Sequence, residues 1–143
     1  LSQFENMVKK LQERKIEVVV HIINGLPYET KEMMVDTVKY LNHLNIDGIK
    51  IHMLNIVKDT ALEKLYNQEK FKVLSKEEYI DIVITQLEYL RPEIVIHRIT
   101  SDPDPKNLIE PTWLVKKFCV LNDIDKEMKK RNTYQGKKLE INL

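Results

Sequence analysis

Glycine is scarce in this chain, with three among 143 residues, so each one is expected to sit where the backbone geometry demands it. Cysteine is scarcer. The single Cys119 excludes an internal disulfide and points to a reducing compartment, so a cytoplasmic location is expected. No apolar run approaches the roughly 20 residues of a membrane-spanning helix, and no membrane partner is expected. No leader peptide is evident, because residues 1–10 already carry an amphipathic helical pattern. Charge of either sign is nearly cancelled: 23 Lys and Arg stand against 22 Asp and Glu, which by itself favours neither nucleic acid nor a lipid surface. What the chain does have is apolar content, at 43%, enough for a core and too much for disorder. The length suits one domain or a piece of one, and the opening Leu1 hints at a missing upstream region.

The most informative stretch is 17–30, EVVVHIINGLPYET. Its β-branched run suits a buried strand, Gly25 to Tyr28 form a turn, and Thr30 caps a following helix. Strand, tight turn and helix in that order make one unit of a parallel α/β sheet, in which ligands bind at the carboxyl ends of the strands. The rest of the chain reads as repeats of this unit. A surface helix covers 2–15, strands cover 17–24, 49–55 and 93–99, and a helix follows the first strand to about Leu44. A short helix is expected at 61–67, a small extra strand at 71–74, and a long helix at 76–90 with a Ser75–Glu78 capping box. A last helix spans about 111–130, ahead of a polar, basic tail. Residues 1–110 are thus βα units, and 111–143 a terminal helix and tail. The fold class is α/β, with three parallel strands joined by helical crossovers. Three strands suit either a small three-layer domain or a section of a larger barrel.

Alternation within the strands separates two faces. Val18, Val20, Ile22, Ile49, Ile51 and Met53 make an oily face suited to lie beneath helices. Val19, His21 and Ile23 share the other phase on the first strand, and Lys50, His52 and Leu54 share it on the second. On the third strand His97 and Arg98 alternate, so one of them belongs to this second face; Lys50, His97 and Arg98 are the substrate-facing candidates. A zinc site built from His21, His52 and His97 is one alternative, although no acidic or Cys ligand has matching spacing. His43 reads as a solvated group, Cys119 as packing on the last helix, and Lys129, Lys130, Arg131, Lys137 and Lys138 as a solvated basic tail.

Five segments in order, HIINGLPYET, DGIKIHMLNIVKDTAL, LSKEEY, VIHRITSD and RNTYQGK, resemble the carboxyl-terminal part of a radical SAM protein. The subgroup they resemble is an uncharacterised bacterial family related to the elongator catalytic subunit. The resemblance implies a partial (β/α) barrel whose parent binds S-adenosylmethionine and a [4Fe–4S] cluster and generates a 5′-deoxyadenosyl radical. It also implies that this chain supplies the last three strands. His21, Asn24 and Gly25 then correspond to the motif beside the nucleoside, and His52, Met53 and Leu54 to the segment near adenine. Tyr28 stands where the family usually has Gly. The CxxxCxxC loop that holds the cluster has no counterpart among these residues, so no cluster or cofactor is expected on this piece alone, which is expected to be inactive. The expected partner is the amino-terminal half of the barrel. RNA is a candidate substrate by the same resemblance. Without that half, the first strand would present an open edge, and an adventitious homodimer is expected. The rival readings are a self-contained α/β module that binds a nucleotide or a protein, and a zinc hydrolase.

Overall fold

In the computed structural model, which describes residues 1–139, helices cover one face of a short parallel sheet and leave the other face bare. The order is α1 (Ser2–Glu13), β1 (Val19–Asn24), α2 (Lys31–Leu41), β2 (Gly48–Met53), β3 (Ile56–Val57), α3 (Ala61–Glu69), α4 (Lys76–Tyr89), β4 (Val95–Arg98), β5 (Leu108–Glu110) and α5 (Lys117–Lys130). Strands β1, β2 and β4 pair in that spatial order, all parallel, so β1 and β4 are edges among the described residues. The expected three-stranded α/β architecture is present. No described helix is long and apolar enough to cross a membrane.

The oily strand face makes the core. Val20, Ile49, Ile51 and Met53 are buried against Met34, Val38 and Leu41 of α2 and Tyr79, Val83 and Leu87 of α4. Each such side chain contributes about 1.5–3 kcal/mol on leaving water, which is why the alternation fixes the face that the helices cover. Helix starts are set chemically: Thr30 accepts from the Met33 amide, Thr60 from Glu63, and Ser75 with Glu78 completes the expected capping box. Burial pushes the Tyr79 phenol pKa up, and its hydroxyl donates to the Ile99 carbonyl.

Three local expectations fail. Residues 71–74 form no strand: Phe71 is buried, Leu74 packs on Gly25, and the Leu74 carbonyl accepts from the Trp113 indole rather than from a ladder. The small extra pairing lies instead between β3 and β5, antiparallel. The last helix is interrupted, with 3-10 geometry over Thr112–Lys116 before α5 begins. That offset turns Cys119 and Phe118 outward, so Cys119 is exposed and does not pack in the core; Val120 and Ile124 take the buried positions. His43 is exposed as expected. The tail cations are not bare either: Lys129 pairs with Asp125, Lys130 and Arg131 with Glu127, and Lys138 with Glu88.

Candidate functional site at the bare sheet face

The parallel register pairs Ile23 with His52 and His21 with Lys50, which sets the two imidazoles diagonally on the bare face. Their ring centroids are 5.5 Å apart at 43°. Val20 and Ile51 lie buried on the opposite side, so the histidines share the face that their phase predicted. His52 is half-buried, and its Nε2 is shielded from solvent without a hydrogen-bond partner among the described residues. Burial lowers its pKa, and the charges of His21, Arg98 and Lys50 lower it further.

Strand β4 brings both of its candidates to this region by breaking alternation. Ile49 pairs with Ile96, but Lys50 pairs with Arg98, and the shift between them bulges the strand at His97. His97 therefore leans over Gly48, whose missing Cβ would lie only 2.5 Å from the imidazole Nε2. Gly48 is thus a seat for the ring. Arg98 lies opposite Lys50 in register, and its charge is felt at His52.

The other candidates are turned elsewhere. Asn24 is 1% exposed on the helix side, where its amide exchanges hydrogen bonds with Gln86. The phase that puts Val20 and Ile22 under the helices puts Asn24 there too. Its side chain therefore does not face the histidines. Met53 is buried beside the Ser101 hydroxyl, which donates to its Sδ at 2.9 Å. The Gly25 amide donates to the Glu29 carboxylate at 3.0 Å, as does the Leu26 amide at 3.1 Å. Glu29 thereby fills the donor pocket that the turn would offer to a ligand anion. Leu54 sits half-buried at the strand end, its amide bonded to the Asn24 carbonyl. Tyr28 has φ +67°, the left-handed region that suits glycine. Its phenol bonds to Glu69.

A cleft of about 520 Å³ lies on the helix side of this turn, lined by Tyr28, Lys31, Met34, Phe71 and Asp81. Its charges neutralise one another, with Asp81 bonded to Lys31 and Arg131. Another of about 430 Å³ opens along β4, with His97, Arg98, Asp102 and Phe118 in its walls. Only the second touches the basic face. Among the described residues no group of three or more His, Cys, Asp or Glu side chains could hold a metal ion. The zinc alternative therefore fails, because His97 is drawn aside to Gly48 while His21 and His52 pair.

Comparison with known proteins adds the family. The radical SAM C-terminal domain matches residues 46–130. The chain belongs to that family. It is 45% identical over 130 residues to the uncharacterised protein YtqA of Bacillus subtilis, covering 91% of this chain and 40% of that one. An uncharacterised protein of Methanocaldococcus jannaschii is 34% identical over 137 residues, covering 95% and 42% respectively. The chain thus spans about two fifths of these relatives' length. Its fold is similar to that of a solved Elp3 from Methanocaldococcus infernus that carries a deletion of N-terminal residues 1–46. That match has a TM-score of 0.79 at 21% identity, covering 92% of this chain and 32% of the other. The radical SAM fold is a partial barrel, and the three strands here are a segment of it.

The family implies two groups, and the residues present fit them unequally. An iron–sulfur cluster needs several thiolates, and the lone Cys119 is exposed on α5, so this chain's residues do not fit a cluster. The adenosyl part of S-adenosylmethionine fits better: the orphaned His52 Nε2, the neighbouring His21 ring and the exposed Ile23 offer polar atoms beside apolar surface. Sequence reasoning missed Gln86, Gly48 and Glu29. Gln86 had a signal, an amide flanked by Val83 and Leu87 on an otherwise apolar helix face.

Proposed function

We propose that the bare sheet face is the lumen wall of a radical SAM enzyme, completed in the parent protein by the preceding strands. The observation that carries this reading is the His21–His52 pair on an uncovered face whose opposite side is fully packed under helices. S-adenosylmethionine, bound beside a reduced cluster held by other parts of the parent, supplies one-electron chemistry able to break an unactivated C–H bond.

The residues of this chain have quieter tasks. His52 is kept neutral near pH 7 by its burial and cationic neighbours, so its Nε2 is free to hold a ribose hydroxyl or an adenine edge. His21 orients the same group from the adjacent strand, and Ile23 and Val19 supply apolar contact that excludes water. Asn24 and Gln86 act behind the face by fixing the carboxyl end of β1.

The test uses the full-length parent, reconstituted anaerobically and assayed for 5′-deoxyadenosine. Release of 5′-deoxyadenosine, with His52→Ala weakening S-adenosylmethionine binding several-fold, supports the reading. Nucleotide binding that survives without any 5′-deoxyadenosine from a reconstituted protein would instead favour a binding module.

A further inference from the structure

Five basic side chains belong to the region of the bare face: His21 on β1, Lys50 and His52 on β2, and His97 and Arg98 on β4. None of them takes part in a side-chain hydrogen bond or ion pair among the described residues. Several cations elsewhere are paired. Lys31 and Arg131 share Asp81, Lys76 holds Asp123, Lys117 holds Asp102 and Lys138 holds Glu88. Others without an ion pair, such as Lys9, Lys10, Arg14 and Lys15, are exposed around α1, whereas Lys50 and the His52 ring are partly shielded and stand beside Arg98 on adjacent strands.

A neighbouring acid relieves them only in part. The acid beside this group is Asp102, which Lys117 holds at 2.5 Å. The Lys117 hydrogen bond and charge hold its carboxyl below the usual carboxylate range, with a weaker contribution from Arg98. Lys50 and Arg98, meanwhile, stand opposite each other in register on adjacent strands, a like-charge arrangement that costs stability in a sheet. The bulge at β4 creates that juxtaposition; regular alternation would have set His97 there.

We infer that the bare face holds an oxyanion, a phosphate or a carboxylate of the substrate, between Lys50 and Arg98 and beside the His52 imidazole. The inference rests on the reading of this face as a lumen wall. A guanidinium offers a planar fork to two oxygens and an ammonium a point charge. Together they would turn a repulsive pair into a charge-assisted network. A bound anion beside the His52 ring would raise its pKa against the pull of burial and of the His21, Arg98 and Lys50 charges.

The experiment titrates the full-length protein, without S-adenosylmethionine or reductant, with inorganic phosphate and separately with succinate. Histidine ring signals are followed by NMR. Saturable perturbation of His52, with an upward shift of its pKa, is the expected result. Tighter binding of phosphate or of succinate distinguishes the two oxyanion sources. Lys50→Gln and Arg98→Gln should each weaken the binding about tenfold, the scale of one charge-assisted hydrogen bond. The charge-conserving Lys50→Arg should stay within about threefold, which separates lost charge from lost fold, while Arg98→Lys keeps the charge but loses the fork and should fall between the unchanged protein and Arg98→Gln. Non-saturating shifts with both anions, or affinity unchanged in both glutamine variants, overturn the inference. A 5′-deoxyadenosine assay run in parallel keeps the two readings apart. Product without saturable anion binding overturns the inference alone. Saturable anion binding without product supports the inference and overturns only its radical setting.

Discussion

The side-chain amides of Asn24 and Gln86 bond to each other twice, each at 2.8 Å, with Asn24 1% and Gln86 0% exposed. Gln86 also donates to the Met34 carbonyl at 2.9 Å. One amide pair thus ties the carboxyl end of β1 to α2 and α4, just behind the histidine face. Removing one partner strands the other in an apolar surrounding. Gln86→Leu should therefore cost about 2–4 kcal/mol in urea melts, since two buried groups lose their partners. The double variant Asn24→Leu/Gln86→Leu should recover part of that loss, giving a favourable coupling energy in the cycle. Strict additivity of the two single changes would show that the pair is not a unit.

Much of this was legible in the sequence, and the reason is periodicity. Val18, Val20 and Ile22 against Val19, His21 and Ile23 assign two faces to β1 with no other information, and burial then selects the oily one. What periodicity cannot encode is a break in itself. The bulge that sets Arg98 opposite Lys50, and the 3-10 turn that rotates Cys119 outward, each shift phase by a fraction of a turn. Asn24 marks another limit: its phase places its side chain under the helices, but phase does not name what it bonds to there. Its partner, 62 residues away, is a tertiary fact.

Tyr28 occupies left-handed backbone, φ +67°, a region that suits glycine. An L-residue there costs about 1–2 kcal/mol. The side chain is 76% exposed, so little packing is lost with it. Tyr28→Gly should raise stability by up to about 1 kcal/mol after the extra entropy of the unfolded glycine is deducted. Tyr28→Phe, which removes only the bond to Glu69 at the surface, should be nearly neutral. Thermal melts of the two variants decide the matter; a destabilised Tyr28→Gly beside a neutral Tyr28→Phe would place the stabilisation in the ring rather than in the turn.

His52 makes stability depend on pH in a definite direction. Its folded pKa lies below the ordinary value of 6.5, through burial first and then through His21, Arg98 and Lys50. The unfolded chain therefore binds more protons than the native one just below that value. The contribution is fully present above the unfolded pKa and is lost as pH falls through it toward the lower native value. The facing groups that share this field are His21 on β1, Lys50 on β2, and His97, Arg98 and the adjoining Asp102 on the β4 side. His52→Gln should flatten the fall in stability as pH drops below about 6.5. Urea midpoints at stepped pH measure it, and an unchanged slope would remove His52 as the source.

Association of the 143-residue chain by itself is an expectation drawn from the sheet. Strand β1 pairs only with β2 among the described residues, so its other edge presents unpaired backbone groups. The bare face adds apolar surface, with Ile23 48% and Val95 58% exposed. These two liabilities are not equally available. Stacking two bare faces would set Lys50, His52 and Arg98 of one copy against the same groups of the other, with no acid between them. Edge pairing of β1 with a second β1 leaves the cations apart and satisfies the backbone. The expected result is a concentration-dependent dimer through β1, seen by light scattering or sedimentation. Ile23→Lys, which puts a charge on the edge strand, should weaken it about tenfold or more while the melting temperature changes little. If added phosphate drives association and Ile23→Lys does not oppose it, the contact is face to face through bridged cations. A monomer at millimolar concentration would show that neither liability is enough to pair two copies.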